Sequence, residues 1–416
     1  MKQLLTSAGF LALGAAALHA YDPLLTRQAT GRPWSVSATV RGFYDDNINT
    51  QPDRLKENSG GIEVSPSVSV NLPMEQTFVS LGYTYGLKWY EDRSPHDTDQ
   101  SHIFDGKLRH QFNPRHDINI EDSFVLSDEP TVAESNGIIT SPTRTESSIL
   151  HNRGSIEDNF SLSQNIGLSF GYMNHWYDYE QENVPGGFGS RSALLDRLEH
   201  YIRGDFRYAF NPTLVGVVGY TFNLNNYTGD ELISPGVKSS IRDSYSHFGY
   251  VGADYDITAQ LRLTGRAGIQ YTDYHEANES ETNPYIDIAA TYKYLPGSTV
   301  QVGIRHIRNA TDVSAVDLKG QPTLDAETTA LYAIVSHRIT PAFTGSLIGQ
   351  YQNSTFNGGR NDDDSEDLWL VGVNFEYRFS QHWSADAGYN YDKLSSDIAN
   401  RGYDRNRVYL GVRATY

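Results

Sequence analysis

A period of two runs through almost the whole of this chain and constrains it most. From Trp34 to Tyr416, apolar and polar residues alternate in one short run after another. In the last run, Val408, Leu410, Val412, Ala414 and Tyr416 fall on one side, with Arg407, Tyr409, Gly411, Arg413 and Thr415 on the other. Leu261, Leu263, Ala267, Ile269 and Tyr271 likewise oppose Arg262, Thr264, Arg266, Gln270 and Thr272. Val79, Leu81, Tyr83, Tyr85, Leu87 and Trp89 oppose Ser80, Gly82, Thr84, Gly86 and Lys88. Successive side chains of a strand point to opposite faces, so each run reads as a β-strand with one apolar and one polar face. Beyond the first twenty residues no stretch approaches the roughly 18 consecutive apolar residues of a spanning helix.

Alternation alone fits a soluble sandwich as well as a barrel, and the connections separate the two. Short turns centre on Leu72-Pro73-Met74, Asn113-Pro114, Ser163-Gln164, Asn211-Pro212, Thr258-Ala259, Pro296-Gly297, Thr340-Pro341 and Ser380-Gln381. Between them lie long polar stretches, over 46–58, 91–100, 126–147, 179–197, 229–242, 275–283, 310–325, 355–366 and 396–405. Short turns on one side and long loops on the other mark a transmembrane barrel. The count predicts an all-β, antiparallel, up-and-down barrel of 18 strands, with 16 as the alternative, because the runs near Ile149 to Ser161 and Tyr245 to Tyr255 alternate poorly. About 22 residues per strand and loop agree with a tilted spanning strand of about 9–11. Barrels of this size leave an aqueous lumen.

The N-terminus reads as an export signal. Met1-Lys2 is followed by the apolar, small-residue stretch Leu4 to Leu18, which predicts cleavage after Ala20. The expected organisation is a signal peptide over 1–20, a short periplasmic segment over 21–33 and one barrel over 34–416. Cysteine is absent, so the fold must be held by its core or by its hydrogen-bond ladder, and a closed barrel is held by the ladder. The 28 tyrosines suit aromatic girdles. A net charge of −18 argues against nucleic acid as partner.

The chain ends in Arg413-Ala414-Thr415-Tyr416, an aromatic residue closing an alternating strand. This resembles the C-terminal signature of bacterial outer-membrane proteins. The layout and the Tyr/Asp/Asn-rich texture resemble the porin-like barrels associated with exopolysaccharide clusters. The resemblance implies the outer membrane of a Gram-negative bacterium, its lipids and lipopolysaccharide as surroundings, Tyr416 as an assembly signal, and the barrel assembly machinery as partner. It also implies an export or diffusion pore with no catalytic residues to carry over.

Assigning polar faces to the lumen yields pore-lining candidates: Arg203, Asp205, Arg207, Arg262, Arg266, Arg305, Arg338, Glu376, Arg378, Arg407 and Arg413. Such a lumen leans basic although the chain is acidic; the excess acid is expected in loops, as in Asp362-Asp363-Asp364 with Glu366-Asp367, and Glu279 with Glu281. The arginines either attract anions into the pore or pair with neighbouring carboxylates and brace the wall. Arg203-x-Asp205-x-Arg207 suits bracing. The run Asn361 to Asp367 lacks the spacing of an EF-hand loop and reads as a solvated extracellular loop. His110 and His306 fall on apolar faces, and no Ser, His and acid grouping has a spacing suited to catalysis. No metal-ligand cluster and no cofactor motif is evident. The favoured function is a channel passing or exporting polysaccharide or other polar solutes. A general diffusion porin, a structural or adhesive barrel, and a barrel enzyme are the alternatives. The 22-residue segment Leu126 to Ser147 is long enough to fold inward and constrict the lumen, and Tyr201, Tyr332 and Tyr409 could stack on sugar rings.

Overall fold

In the computed structural model, which describes residues 33–128, 137–144, 147–181, 187–229 and 231–416, the alternating runs become long strands paired edge to edge. They are β1 (Trp34–Asp45), β2 (Ser59–Pro73), β3 (Thr77–Tyr90), β4 (Thr98–Asn113), β5 (His116–Ser127), β6 (Ile149–Ser161), β7 (Ile166–Tyr179), β8 (Arg197–Asn211) and β9 (Leu214–Tyr227). After a small hairpin, β10 (Leu232–Ser234) and β11 (Val237–Lys238), follow β12 (Ser244–Asp256), β13 (Leu261–Tyr274), β14 (Glu279–Leu295), β15 (Ser298–Asn309) and β16 (Asp325–Thr340). The last four are β17 (Phe343–Asn357), β18 (Ser365–Arg378), β19 (Trp383–Ser396) and β20 (Tyr403–Thr415). Each barrel strand pairs antiparallel with its neighbours in sequence, β9 pairs with β12 past the hairpin, and β1 pairs with β20. The result is a closed 18-stranded barrel with no free edge. The poorly alternating runs near Ile149 and Tyr245 are strands β6 and β12, because ladder bonds to both neighbours outweigh their weak pattern. The predicted signal peptide lies outside the described residues.

Polar character alone predicts several connections longer than they are. The connection expected over 275–283 spans only 275–278, because Glu279 and Glu281 belong to β14, opposite Tyr274 and Thr272. Glu366 and Asp367 likewise belong to β18, opposite Ser396 and Ser395, rather than to a solvated loop. Beyond the membrane a strand needs its ladder but no apolar face, so polar residues continue it. Spans 91–97, 358–364 and 397–402 replace the longer expected ones for the same reason.

Two environments divide the side chains. The outer face carries exposed apolar residues such as Val251, Leu410, Ile202 and Leu81, as lipid requires. At the short-turn rim His382 stacks on Tyr416, which meets Trp34 at a tilt with centroids 5.7 Å apart. Tyr44, Trp89, Trp176, Tyr271 and Trp369 stand toward the long-loop rim. Inside, several tyrosine rings lie flat over a glycine on the paired strand: Tyr332 over Gly303, and Tyr409 over Gly388. A Cβ at either glycine would overlap the ring, so glycine there keeps the tyrosine against the wall and out of the lumen.

One apolar cluster, Phe248, Tyr250 and Tyr285 with Ile307, lies on the lumen wall at mid-strand. The others sit inside the long-loop mouth and join strand ends to loops. Ile149, Tyr177 and Tyr179 pack on Ala193, Leu194, Leu195 and Ile233. Leu368, Leu370, Leu394 and Tyr403 receive Ile139, and Val313 meets Ala326 and Phe356.

Candidate pore and the loops that close it

The polar faces of the strands meet in the lumen, and most of their arginines are held by acids. Arg203 stands 3.4 Å from Glu157 on β6 and 3.7 Å from Asp205. Asp205 also accepts the Tyr250 hydroxyl at 2.7 Å. Asp254 takes both Arg207 at 2.6 Å and Arg266 at 2.9 Å, although they come from β8 and β13. Arg305 meets Asp287 at 3.2 Å, and Arg413 donates to Thr39 Oγ1 at 3.0 Å. Arg407 shares a recess with Arg41, Glu63, Lys88, Tyr90 and Tyr409. These groups tie strands together across the wall. A paired guanidinium projects far less field into the lumen than a lone one.

The short-turn mouth is different. Arg262 and Asp256, 3.9 Å apart, and Arg378 and Glu376, 3.8 Å apart, all keep a third or more of their side chains exposed. Arg338 is exposed there too, its backbone N–H donating to Ser298 Oγ at 2.9 Å. Tyr416 closes the seam, exchanging backbone bonds with Val36 at 2.8 and 3.0 Å. Of the tyrosines considered for stacking, Tyr332 and Tyr409 lie buried against the wall, and Tyr201 is half-buried with its hydroxyl on Glu199.

The long-loop mouth is filled. The segment 137–144, part of the connection between β5 and β6, reaches the opposite wall. Gln350 Nε2 on β17 donates to the Gly137 carbonyl at 3.0 Å. Gln352 bonds Ile139 twice, accepting from its N–H at 2.9 Å and donating to its carbonyl at 2.8 Å. Tyr403 Oη donates to the Pro142 carbonyl at 2.7 Å. The segment then crosses to the β1–β4 side, where Arg144 donates to the Ile48 carbonyl at 2.8 Å and pairs with Asp99 at 2.6 Å. It therefore spans the mouth, as the length of the Leu126 to Ser147 segment allows.

One carboxylate gathers the other loops around this strap. Asp312, in the connection 310–324, accepts Arg191 Nη1 at 2.8 Å and Ser141 Oγ at 3.1 Å, and pairs with Arg401. Arg401 pairs also with Glu366 of β18. Its partners come from three other long connections, and Asp312 itself is 6% exposed. Burial alone would raise its carboxyl, but the Arg401 and Arg191 guanidiniums outweigh that and hold it below the usual carboxylate range. Nearby, the fully buried Arg242 donates to the carbonyls of Thr323 at 3.0 Å, Leu194 at 3.3 Å, Thr311 at 3.2 Å and Val313. It fastens the connections 180–196 and 310–324 to its own. Apart from Glu366, read as a loop acid, none of these residues stood out in the sequence, since loop residues carry no periodicity.

Asp196 makes part of this closure pH-dependent. It ends the short helix Arg191–Leu195 and accepts the Tyr179 N–H at 2.7 Å. Burial, with help from Asp178 and Glu231 and against the Tyr179 bond and Arg197, pushes its carboxyl up to about 7. The neutral acid thus favours the packed loop, and that contribution is complete at low pH and lost as pH rises through the folded value. Exchange at the loop's amides, corrected for the intrinsic rate, should rise by up to about ten-fold per pH unit between about 4 and 7, then level off. Asp196→Asn should flatten that rise; a profile identical to the parent's would mean that another group sets it.

Among the described residues no three His, Cys, Asp or Glu side chains are grouped to hold a metal ion. The family model described as Putative beta-barrel porin 2 matches residues 310–416, from the Asp312 loop through β20. No curated protein matches the chain. Among solved structures, the outer membrane protein opdK from Pseudomonas aeruginosa aligns with a TM-score of 0.49 at 9% identity, covering 92% of this chain and 99% of that one. OccAB4 of Acinetobacter baumannii aligns with a TM-score of 0.47 at 12% identity, covering 92% and 99%. The ferric enterobactin receptor PfeA aligns with a TM-score of 0.46 at 10% identity, covering 94% and 82%.

Proposed function

We propose that this porin-like barrel of the outer membrane is a loop-gated channel that lets a polysaccharide strand, or another polar solute, pass outward. The observation that carries the reading is the asymmetry of its two mouths: one lined by exposed charged side chains, the other crossed by its own connections meeting on Asp312. A solute entering from the short-turn side meets a polar lumen of 18-strand width. It then pushes the loops away from the barrel, in the direction that opens the mouth. A solute arriving from the other side meets a packed apolar and ion-paired cover. That difference supports export over general diffusion. A long neutral or weakly charged polymer also suits a lumen whose arginines are mostly paired. We further propose that Tyr416, at the seam, is the signal for the barrel assembly machinery.

Single-channel conductance of the refolded chain in a planar bilayer tests the gate, and release of oligosaccharides from proteoliposomes tests the cargo. The expected result is rare, short openings in the parent chain and oligosaccharide release that rises with them. Folded, heat-modifiable barrels that never conduct, under any voltage and with the loops clipped, would leave a structural or adhesive barrel as the reading.

A further inference from the structure

The outer face of β5–β7 breaks the rule that the rest of the wall follows. Ile118, Ile120, Phe124 and Leu126 of β5 share its lipid-facing side, and at the centre of that row stands Asp122. Its paired neighbours are Gly106 on β4 and Gly154 on β6, and Gly154 in turn pairs with Asn174 on β7. The two glycines leave Asp122 uncovered, and it is exposed. Asn152 Nδ2 donates to its two carboxylate oxygens at 3.3 and 3.2 Å, and Asn174 Nδ2 donates to Asn152 Oδ1 at 3.4 Å. Of the other outward-facing acids, Asp178, Asp273, Asp367 and Asp404 stand at the loop ends of their strands, where water reaches them, and Asp158, toward the short-turn end of β6, pairs with His116 at 2.8 Å.

A carboxylate on the lipid-facing wall, with two carboxamides beside it toward the Trp176 rim, is costly against hydrocarbon, because lipid tails offer neither donors nor acceptors. Asp122 has one amide for two oxygens, so lone pairs remain unfilled. The patch holds acceptors and donors together, and that makes it complementary to itself. Under a two-fold axis, the amides of one copy can donate to the carboxylate of the other. Small residues beside the polar ones let two walls approach closely, and Ile120, Phe124, Ile156 and Tyr172 supply apolar contact around them. We infer that the outer face of β5–β7 docks a second copy of this chain in the membrane, with Asp122 of each copy accepting from Asn152 and Asn174 of the other.

The chain has no cysteine, so single cysteines report the contact cleanly. Ile156→Cys places a thiol beside the patch, and Val373→Cys places one on the lipid face of β18, on the far side of the barrel. In outer-membrane vesicles a short bis-maleimide should link Ile156→Cys into a species of twice the monomer mass and leave Val373→Cys unlinked. Adding Asp122→Leu, with folding checked by heat modifiability, should weaken dimerisation roughly ten-fold, the scale of a few hydrogen bonds between membrane segments. Absence of the dimer, a dimer indifferent to Asp122→Leu, or an adduct only with a different outer-membrane protein would each overturn the inference.

Discussion

Replacing Asp312 by alanine should convert a mostly closed channel into a mostly open one. Arg191 and Arg401 arrive at this carboxylate from different connections, and Ser141 brings the strap that crosses the mouth. With the carboxylate gone, both guanidiniums stay in a buried site with their main counter-charge missing. Breaking a buried pair from one side costs about 3–5 kcal/mol. Arg401 keeps Glu366, and Arg191 keeps Thr143 and Ser141, so the lower end of that range applies. Even so, the closed-to-open ratio should fall by about two orders of magnitude. Open probability in a planar bilayer reads this directly, and trypsin cleavage near Arg191 and Arg401 reads the loops independently. Loops that become cleavable while conductance stays at the parent level would show that some other constriction sets the barrier.

The barrel was legible because its signal is redundant. Each strand repeats the same alternation, and the turn chemistry recurs in register with it, so a weak run such as β6 or β12 is carried by its neighbours. Boundaries on the long-loop side were less legible. Glu279, Glu281, Glu366 and Asp367 look like loop, yet they extend strands beyond the lipid, where polarity no longer distinguishes the two. The lumen arginines were legible as a face but not as pairs. Arg207 and Arg266 both reach Asp254, and no spacing within one strand encodes a contact between strands two or more apart. The gate residues Asp312, Arg191, Arg401 and Arg242 were invisible, since their meeting depends on loops folding across the mouth. Asp122 lies between these cases: an acid at an outward parity is plain in Ile118, Ile120, Phe124 and Leu126, but its glycine and asparagine neighbours require the register.

Arg41→Leu should weaken the barrel at its seam. Arg41 on β1 meets Glu63 on β2 at 3.1 Å and, on the other side, Asp386 on β19 at 2.6 Å. To reach Asp386 it crosses β20 at Gly411, which pairs with Arg41 and with Asp386 in one row. A Cβ at Gly411 would collide with the Arg41 side chain, so the glycine is the lane through which this brace passes. The brace therefore joins the first two strands to the last two, where closure depends on pairing between the ends of the barrel chain. Leucine at 41 leaves two largely buried carboxylates without this cation, a loss of about 3–5 kcal/mol. The expected reading is a lower temperature for heat modification and an earlier urea midpoint. Gly411→Val should produce a similar loss by blocking the lane while keeping every charge. Adding Glu63→Leu and Asp386→Leu to Arg41→Leu should recover part of the stability, because it removes the two carboxylates that the arginine neutralised. If the triple variant instead stays as weak as Arg41→Leu, the arginine stabilises the seam by its reach across β20 and not by its charge, and Gly411→Val should then be the more damaging substitution of the two.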